Sequence, residues 1–177
     1  IVDEAISAGA LGFATSRTLL HRVPDGRPVP GTWADTRELY ALGDVLGRHQ
    51  RGVFEVAAQF EEAGPDLEKV ESEIHWMSEI RRRTGRPVTF GIGQTDFSPR
   101  LHDKVFACVE AEAETGGDIR PQTTPRGIAL LFGLCMRTLF DRAPGWDALV
   151  DKGVDARLAA LDDADQRAAL IESGRAH

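Results

Sequence analysis

Apolar and polar positions along this chain switch repeatedly between a helical and an extended period. Val2, Ala5 and Ile6 share a helical face before a break at Gly9, and the short apolar run Leu11 to Thr15 suits a buried strand. From Ser16 to Trp33 the chain is polar and rich in proline and glycine. A segment that long is more than a connector and reads as a functional loop. Leu39, Leu42, Val45 and Leu46 return to helical spacing, opened by Asp35 three residues before Glu38, as in a capping box. Gly52 to Phe60 predicts a second strand. Leu67, Val70, Ile74, Met77 and Ile80 then predict a long helix, with Pro65 at its first position, Arg81, Arg82 and Arg83 in its last turn and Gly85 as its stop. Pro87 to Gly93 forms a third strand, and Leu101, Val105, Cys108 and Val109 a helix ended by Gly116 and Gly117. Ile119 to Thr123 forms a fourth strand leading into an apolar helix from about Gly127 to Met136. From Trp146 onward the pattern is helical and charged, with Leu149, Val150, Leu158, Leu161, Leu170 and Ile171 as packing residues.

Strands separated by single helices predict an α/β fold of parallel strands joined by right-handed crossovers. Four such units are about half of a (β/α)₈ barrel, which needs about 250 residues. Residues 1–177 therefore read as a single fragment, a partial TIM-type barrel of about four parallel βα units followed by C-terminal helices over 140–177. Ile1 opens directly on a helical pattern, so the chain reads as beginning inside a longer protein. An open flavodoxin-like sheet is the other arrangement that four units allow, and it predicts a stable monomer. An excised arc leaves parallel edges unpaired and predicts a homo-oligomer formed through them.

Composition narrows the partners. With 42% hydrophobic and 28% charged residues, the chain is neither disordered nor collagen-like, and its two cysteines make no disulfide scaffold. A net charge of −7 argues against a nucleic-acid surface, because such affinity comes mainly from Lys and Arg. The basic triplet at 81–83 reads as a helix C-terminus complementing the dipole. No apolar run is long enough to cross a membrane, and no signal-peptide pattern opens the chain. Cys108 and Cys135 each sit in an apolar stretch and read as buried thiols in a reducing cytoplasm. The expected partner is a small-molecule substrate, with no nucleic acid and no membrane.

In barrels and open α/β sheets, ligands meet the loops leaving the C-terminal strand ends. Those loops carry Ser16, Arg17, His21 and Arg22; then Gln59, Glu61 and Glu62; then Gln94, Thr95 and Asp96; then Gln122, Thr123, Thr124 and Arg126. Neither a dinucleotide nor a P-loop fingerprint is present, and HExxH, HxH, CxxC and GxSxG are absent. His49, His75 and His102 fall on predicted helices and read as surface residues. Glu55 stands inside an apolar strand, where a carboxylate is costly unless solvated or paired. Alternation puts Glu55, Ala57 and Gln59 on one face and Phe54, Val56 and Ala58 on the other. If the first face lines the barrel, Glu55 lies deep and Gln59 at the mouth; otherwise Glu55 marks an exposed edge.

The run Ala8-Gly9-Ala10-Leu11-Gly12-Phe13-Ala14-Thr15-Ser16-Arg17-Thr18-Leu19-Leu20-His21-Arg22, followed by Gly26-Arg27-Pro28-Val29-Pro30-Gly31-Thr32, resembles the middle of amidohydrolases related to N-acyl-D-amino-acid deacylases. Gly85-Arg86-Pro87-Val88-Thr89-Phe90 and Ile119-Arg120-Pro121-Gln122-Thr123-Thr124-Pro125-Arg126 are similar to later strands of the same family, in the same order. The resemblance implies a TIM-like barrel and metal-assisted hydrolysis of the amide of an N-acyl amino acid, with a divalent metal, commonly zinc, in the intact parent. This chain would hold about strands four to seven and be inactive alone. The family's histidine ligands at two strand ends correspond here to the neighbourhood of Ala57 and to Ile92 to Gln94, so no metal ligand carries over. The substrate side does carry over. Ser16, Arg17 and Arg22 are substrate-binding candidates, arginine being suited to bidentate capture of a carboxylate, and His21 is the catalytic candidate. Gln59 and Gln94 at the next two strand ends complete the set. The rival reading is a non-catalytic small-molecule-binding or structural barrel module that has lost its metal site.

Overall fold

The computed structural model describes residues 1–23, 27–60, 67–93, 98–127, 131, 133–136, 138–141 and 143–176. They form two compact units, Ile1–Arg126 and Gly127–His177. In the first, four parallel strands follow one another in chain order: β1 (Gly12–Ser16), β2 (Val53–Ala57), β3 (Val88–Gly91) and β4 (Arg120–Gln122). Helix α1 (Val2–Ser7) precedes β1, and α2 (Thr36–His49), α3 (Glu68–Thr84) and α4 (Leu101–Ala113) make the crossovers. The repeat that the sequence predicts is the repeat that forms.

Local chemistry sets the helix ends. Asp35 caps α2, its Oδ1 accepting from the Arg37 N–H at 2.8 Å, and this bond holds its carboxyl below the usual aspartate range. Gly85, at φ 66°, ends α3 and returns its N–H to the Arg81 carbonyl. Pro65 lies outside the described residues, and Leu67 occupies the N-cap of α3 at φ 54°. The three arginines of the α3 terminus are engaged inside the unit: Arg81 with the Gly85 carbonyl, Arg82 with Glu112, and Arg83 with Asp44 at 2.6 Å.

Alternation in the strands divides the sheet into two faces. Phe54, Val56, Val88 and Phe90 are buried in one cluster with Leu39 and Leu46 of α2 and Ile74, Met77 and Ile80 of α3. The opposite face carries two rows set by the register: Ala14, Glu55, Thr89 and Arg120, then Ser16, Ala57, Gly91 and Gln122. Glu55 is exposed on that face, so its carboxylate is solvated and its place in an apolar strand costs little. The strands approach closely at Gly12, where a Cβ would lie 2.1 Å from the Val53 carbonyl oxygen. Gly12→Ala is expected to cost about 1–3 kcal/mol by forcing β1 off β2, measured as a lowered urea midpoint.

Asp3 ties α1 to α2, with His49 Nε2 at 3.0 Å and Arg48 Nη2 at 3.3 Å, and these bonds lower its pKa. A carboxyl depressed on folding contributes stability that is complete above its unfolded value and is lost as pH falls through the folded one. The acid limb of the stability–pH curve is therefore expected to be shallower in Asp3→Asn, and the Asp3 carboxyl resonance to titrate below that of a model peptide. His75 on α3 meets Glu112 at 2.8 Å and His102 on α4 meets Asp103 at 3.2 Å, so these imidazoles, with His49, sit on the helical layer.

The second unit contains a 3₁₀ turn at Asp147–Leu149, α5 (Val154–Asp162) and α6 (Ala164–Ala176). The apolar helix expected over 127–136 does not form among the described residues of that stretch. The Leu134 and Met136 carbonyls, which a helix would pair internally, accept instead from Arg157 Nη1 at 2.9 and 2.8 Å. Trp146 stacks on Phe140 with centroids 5.3 Å apart and donates its indole N–H to the Leu170 carbonyl at 2.9 Å. The expectation of two buried thiols is corrected as well: Cys135 is exposed, and Cys108 is half-buried, with burial pushing its thiol pKa up. Among the described residues, no helix is long and apolar enough to cross a membrane.

Candidate functional site

The C-terminal end of β1 delivers the polar group that the sequence singles out. Ser16 is the last residue of the strand, and its Oγ lies 2.7 Å from Nδ1 of His21. The backbone of the following loop doubles back on itself. Arg22 bridges antiparallel to Pro28, the Val23 N–H donates to the Arg27 carbonyl at 2.9 Å, and Thr32, buried, donates its hydroxyl to the Val29 carbonyl at 2.8 Å. This short ladder presents the side chains of His21 and Arg22, both exposed. Beside them a cleft of about 870 Å³ runs along the free edge of β1, with Phe13 and Leu42 on its apolar wall and Ser16, His21 and Arg22 at its polar rim.

The other candidates are placed differently. Arg17 leaves the strand toward α3. Its Nε and Nη2 donate to Glu73 Oε1 at 3.2 and 3.1 Å, its Nη1 to the Ala34 carbonyl at 2.7 Å, and its guanidinium lies 5.6 Å from the Trp76 ring centroid. The carboxylate that Arg17 meets in this structure is thus Glu73's. Gln59 is buried behind the strand end, its backbone N–H 3.4 Å from Glu73 Oε2 and its Nε2 without a partner among the described residues. Gln94, like Glu61, Glu62, Thr95 and Asp96, lies outside the described residues.

Glu73 and Trp76 lie on α3, outside the strand-end loops to which the sequence points. A signal for Glu73 exists in the sequence: it falls between Val70, Met77 and Ile80 at helical spacing, a carboxylate on the apolar stripe of α3, where it must find a cation or a donor. The cation comes from a strand end far away in sequence, which periodicity does not encode.

Among the described residues no three His, Cys, Asp or Glu side chains converge on a point that could hold an ion. The row at the strand ends offers Ser16 and Gln122 flanking Ala57 and Gly91, which have no side-chain donor. These residues do not fit a metal ion.

A solved structure of D-aminoacylase, an enzyme with a binuclear metal centre, is similar to this chain at a TM-score of 0.52 and 21% identity, over 70% of this chain and 23% of its own. The fold is a partial TIM-type barrel. No family model and no curated protein matches the chain. The matched part spans less than a quarter of the D-aminoacylase chain, and at this identity the likeness is one of fold. It gives the sheet a functional polarity, because active sites of TIM-type barrels gather at the C-terminal strand ends. Ser16, His21 and Arg22 stand at that end.

Proposed function

We propose that this chain is the substrate-side portion of an amidohydrolase that hydrolyses the amide bond of an N-acyl D-amino acid or a related amide, active in an intact barrel and silent as residues 1–177 alone. The observation that supports this reading most is the Ser16–His21 contact, with Arg22 beside it, at the C-terminal end of a barrel strand. Arg22 can take the substrate carboxylate through its planar fork. With Nδ1 engaged by Ser16 Oγ, His21 can turn Nε2 toward the substrate, to orient it or to transfer a proton. Arg17 and Gln59 act behind this pair, and Gln94, which follows β3 in the sequence, is the remaining substrate-side candidate. The reading includes a divalent metal, zinc, whose ligands come from outside the described residues. It also places the protein in the cytoplasm, where its two free cysteines remain thiols. An isolated arc is expected to associate through the edges of β1 and β4.

Turnover of N-acyl D- and L-amino acids by the intact, zinc-supplemented protein tests the proposal. Arg22→Ala is expected to raise KM about 10–100-fold, the value of a lost charge-assisted pair. His21→Ala is expected to lower kcat about 100-fold. Unchanged kinetics in both variants would remove these residues from the site. The rival, a non-catalytic small-molecule-binding module, is favoured by one observation, the donorless Ala57 and Gly91 at two adjacent strand ends. It predicts no turnover, no stoichiometric metal by elemental analysis, and retained binding of a small carboxylate.

A further inference from the structure

We infer that Arg17 and Glu73 form a positioning clamp that sets the place of His21 and Arg22, an inference that rests on the proposed substrate-side role of that loop. The pair is nearly enclosed, with side-chain exposures of 14% and 8%. A buried ion pair is a weak source of stability, since apolar side chains of similar volume often serve as well. What it supplies is direction. Arg17 follows Ser16 immediately, so holding its guanidinium fixes the angle at which the chain leaves β1. The same guanidinium holds the Ala34 carbonyl just before α2, so both ends of the loop that carries His21 and Arg22 are tied to one side chain. Glu73 in turn receives the Gln59 N–H, two residues beyond β2, and thereby fixes the ends of β1 and β2 to one point on α3. The face of Trp76 beneath Arg17 limits where the fork can lie. Two buried donors at this junction, Gln59 Nε2 and Trp76 Nε1, have no partner among the described residues, and the hydrogen bonds that the junction does make converge on Glu73.

Lysine at position 17 keeps the charge but lacks the fork, and cannot hold Glu73 and the Ala34 carbonyl together. Hydrogen exchange on the full chain is the test. In Arg17→Lys and Glu73→Ala, the amides of Val23 and Thr32 are expected to exchange at least tenfold faster, while those of Val56 and Phe90 in the strands keep their protection. Glu73→Gln retains an acceptor for the fork and is expected to restore most of the loop protection. The His21 ring resonances should move toward those of a free imidazole in the first two variants and stay in the third. Equal loss of protection in loop and strands would mean a merely structural pair, and unchanged loop amides and His21 resonances would mean no clamp; either result overturns the inference. The readout needs no substrate, so failure of the clamp and failure of the proposed reaction are separate outcomes.

Discussion

Phe54→Ala is expected to destabilise the Ile1–Arg126 unit by about 3–5 kcal/mol, the range for removing a fully buried aromatic side chain. Phe54, the second residue of β2, is fully buried. Its ring packs 5.3 Å from Phe13 on β1 and, edge to face, 6.4 Å from Trp76 on α3. The substitution therefore opens a cavity at the point where two strands and a helix meet, and close-packed neighbours collapse into it only in part. Phe106→Ala provides the control: that ring is 44% exposed on α4, and its loss should cost less than about 1 kcal/mol. Denaturant unfolding, read by exchange of the β2 and β3 amides, measures both. A Phe54 effect no larger than that of Phe106 would show that the sheet face packed against α2 and α3 is not the core of this unit.

Arg157→Met is expected to cost the Gly127–His177 unit about 1–3 kcal/mol, through five carbonyls that lose their guanidinium donor. Arg157 is 8% exposed. Its guanidinium donates to the carbonyls of Leu134, Met136, Leu149, Val150 and Lys152. None of these acceptors is a carboxylate, so one cation gathers two stretches of chain, 134–136 and 149–152, around α5. A short unit buries a small fraction of its surface and has little stability in reserve, so most of its cooperativity should vanish. Arg157→Lys keeps the charge but supplies three donors without the planar fork, and should recover part of the loss. Accelerated exchange across α5 and α6 is the measurement, and wild-type protection in Arg157→Met would refute the account.

The candidate site was only partly legible. Ser16, Arg17, His21 and Arg22 cluster in sequence, so their shared neighbourhood could be read from the chain, and the structure joins Ser16 to His21. The direction in which Arg17 points could not be read. The side chain at the last strand residue and the one after it leave on opposite faces, and the partner that captures Arg17 lies on a helix 56 positions later. Gln59 shows the same limit: alternation places it two residues beyond Ala57, but the chain has already left the strand there and turns the residue into the protein.

Taken by itself, the sequence determined the order, type and approximate bounds of the four strands and the three helices that connect them, because each depends on local periodicity, a cap such as Asp35 or a stop such as Gly85. It also determined the parallel sense of the strands, because a single crossover helix between consecutive strands leaves no other pairing. Tertiary structure decided which sheet face is buried and which shows Glu55. It also sent Arg17 to Glu73, and drew the carbonyls of 134 and 136 to Arg157 in place of a helix. Those outcomes turn on charges and hydrogen-bond donors brought together from distant positions. A local pattern can say that such a group needs a partner; only the folded chain says which one is within reach.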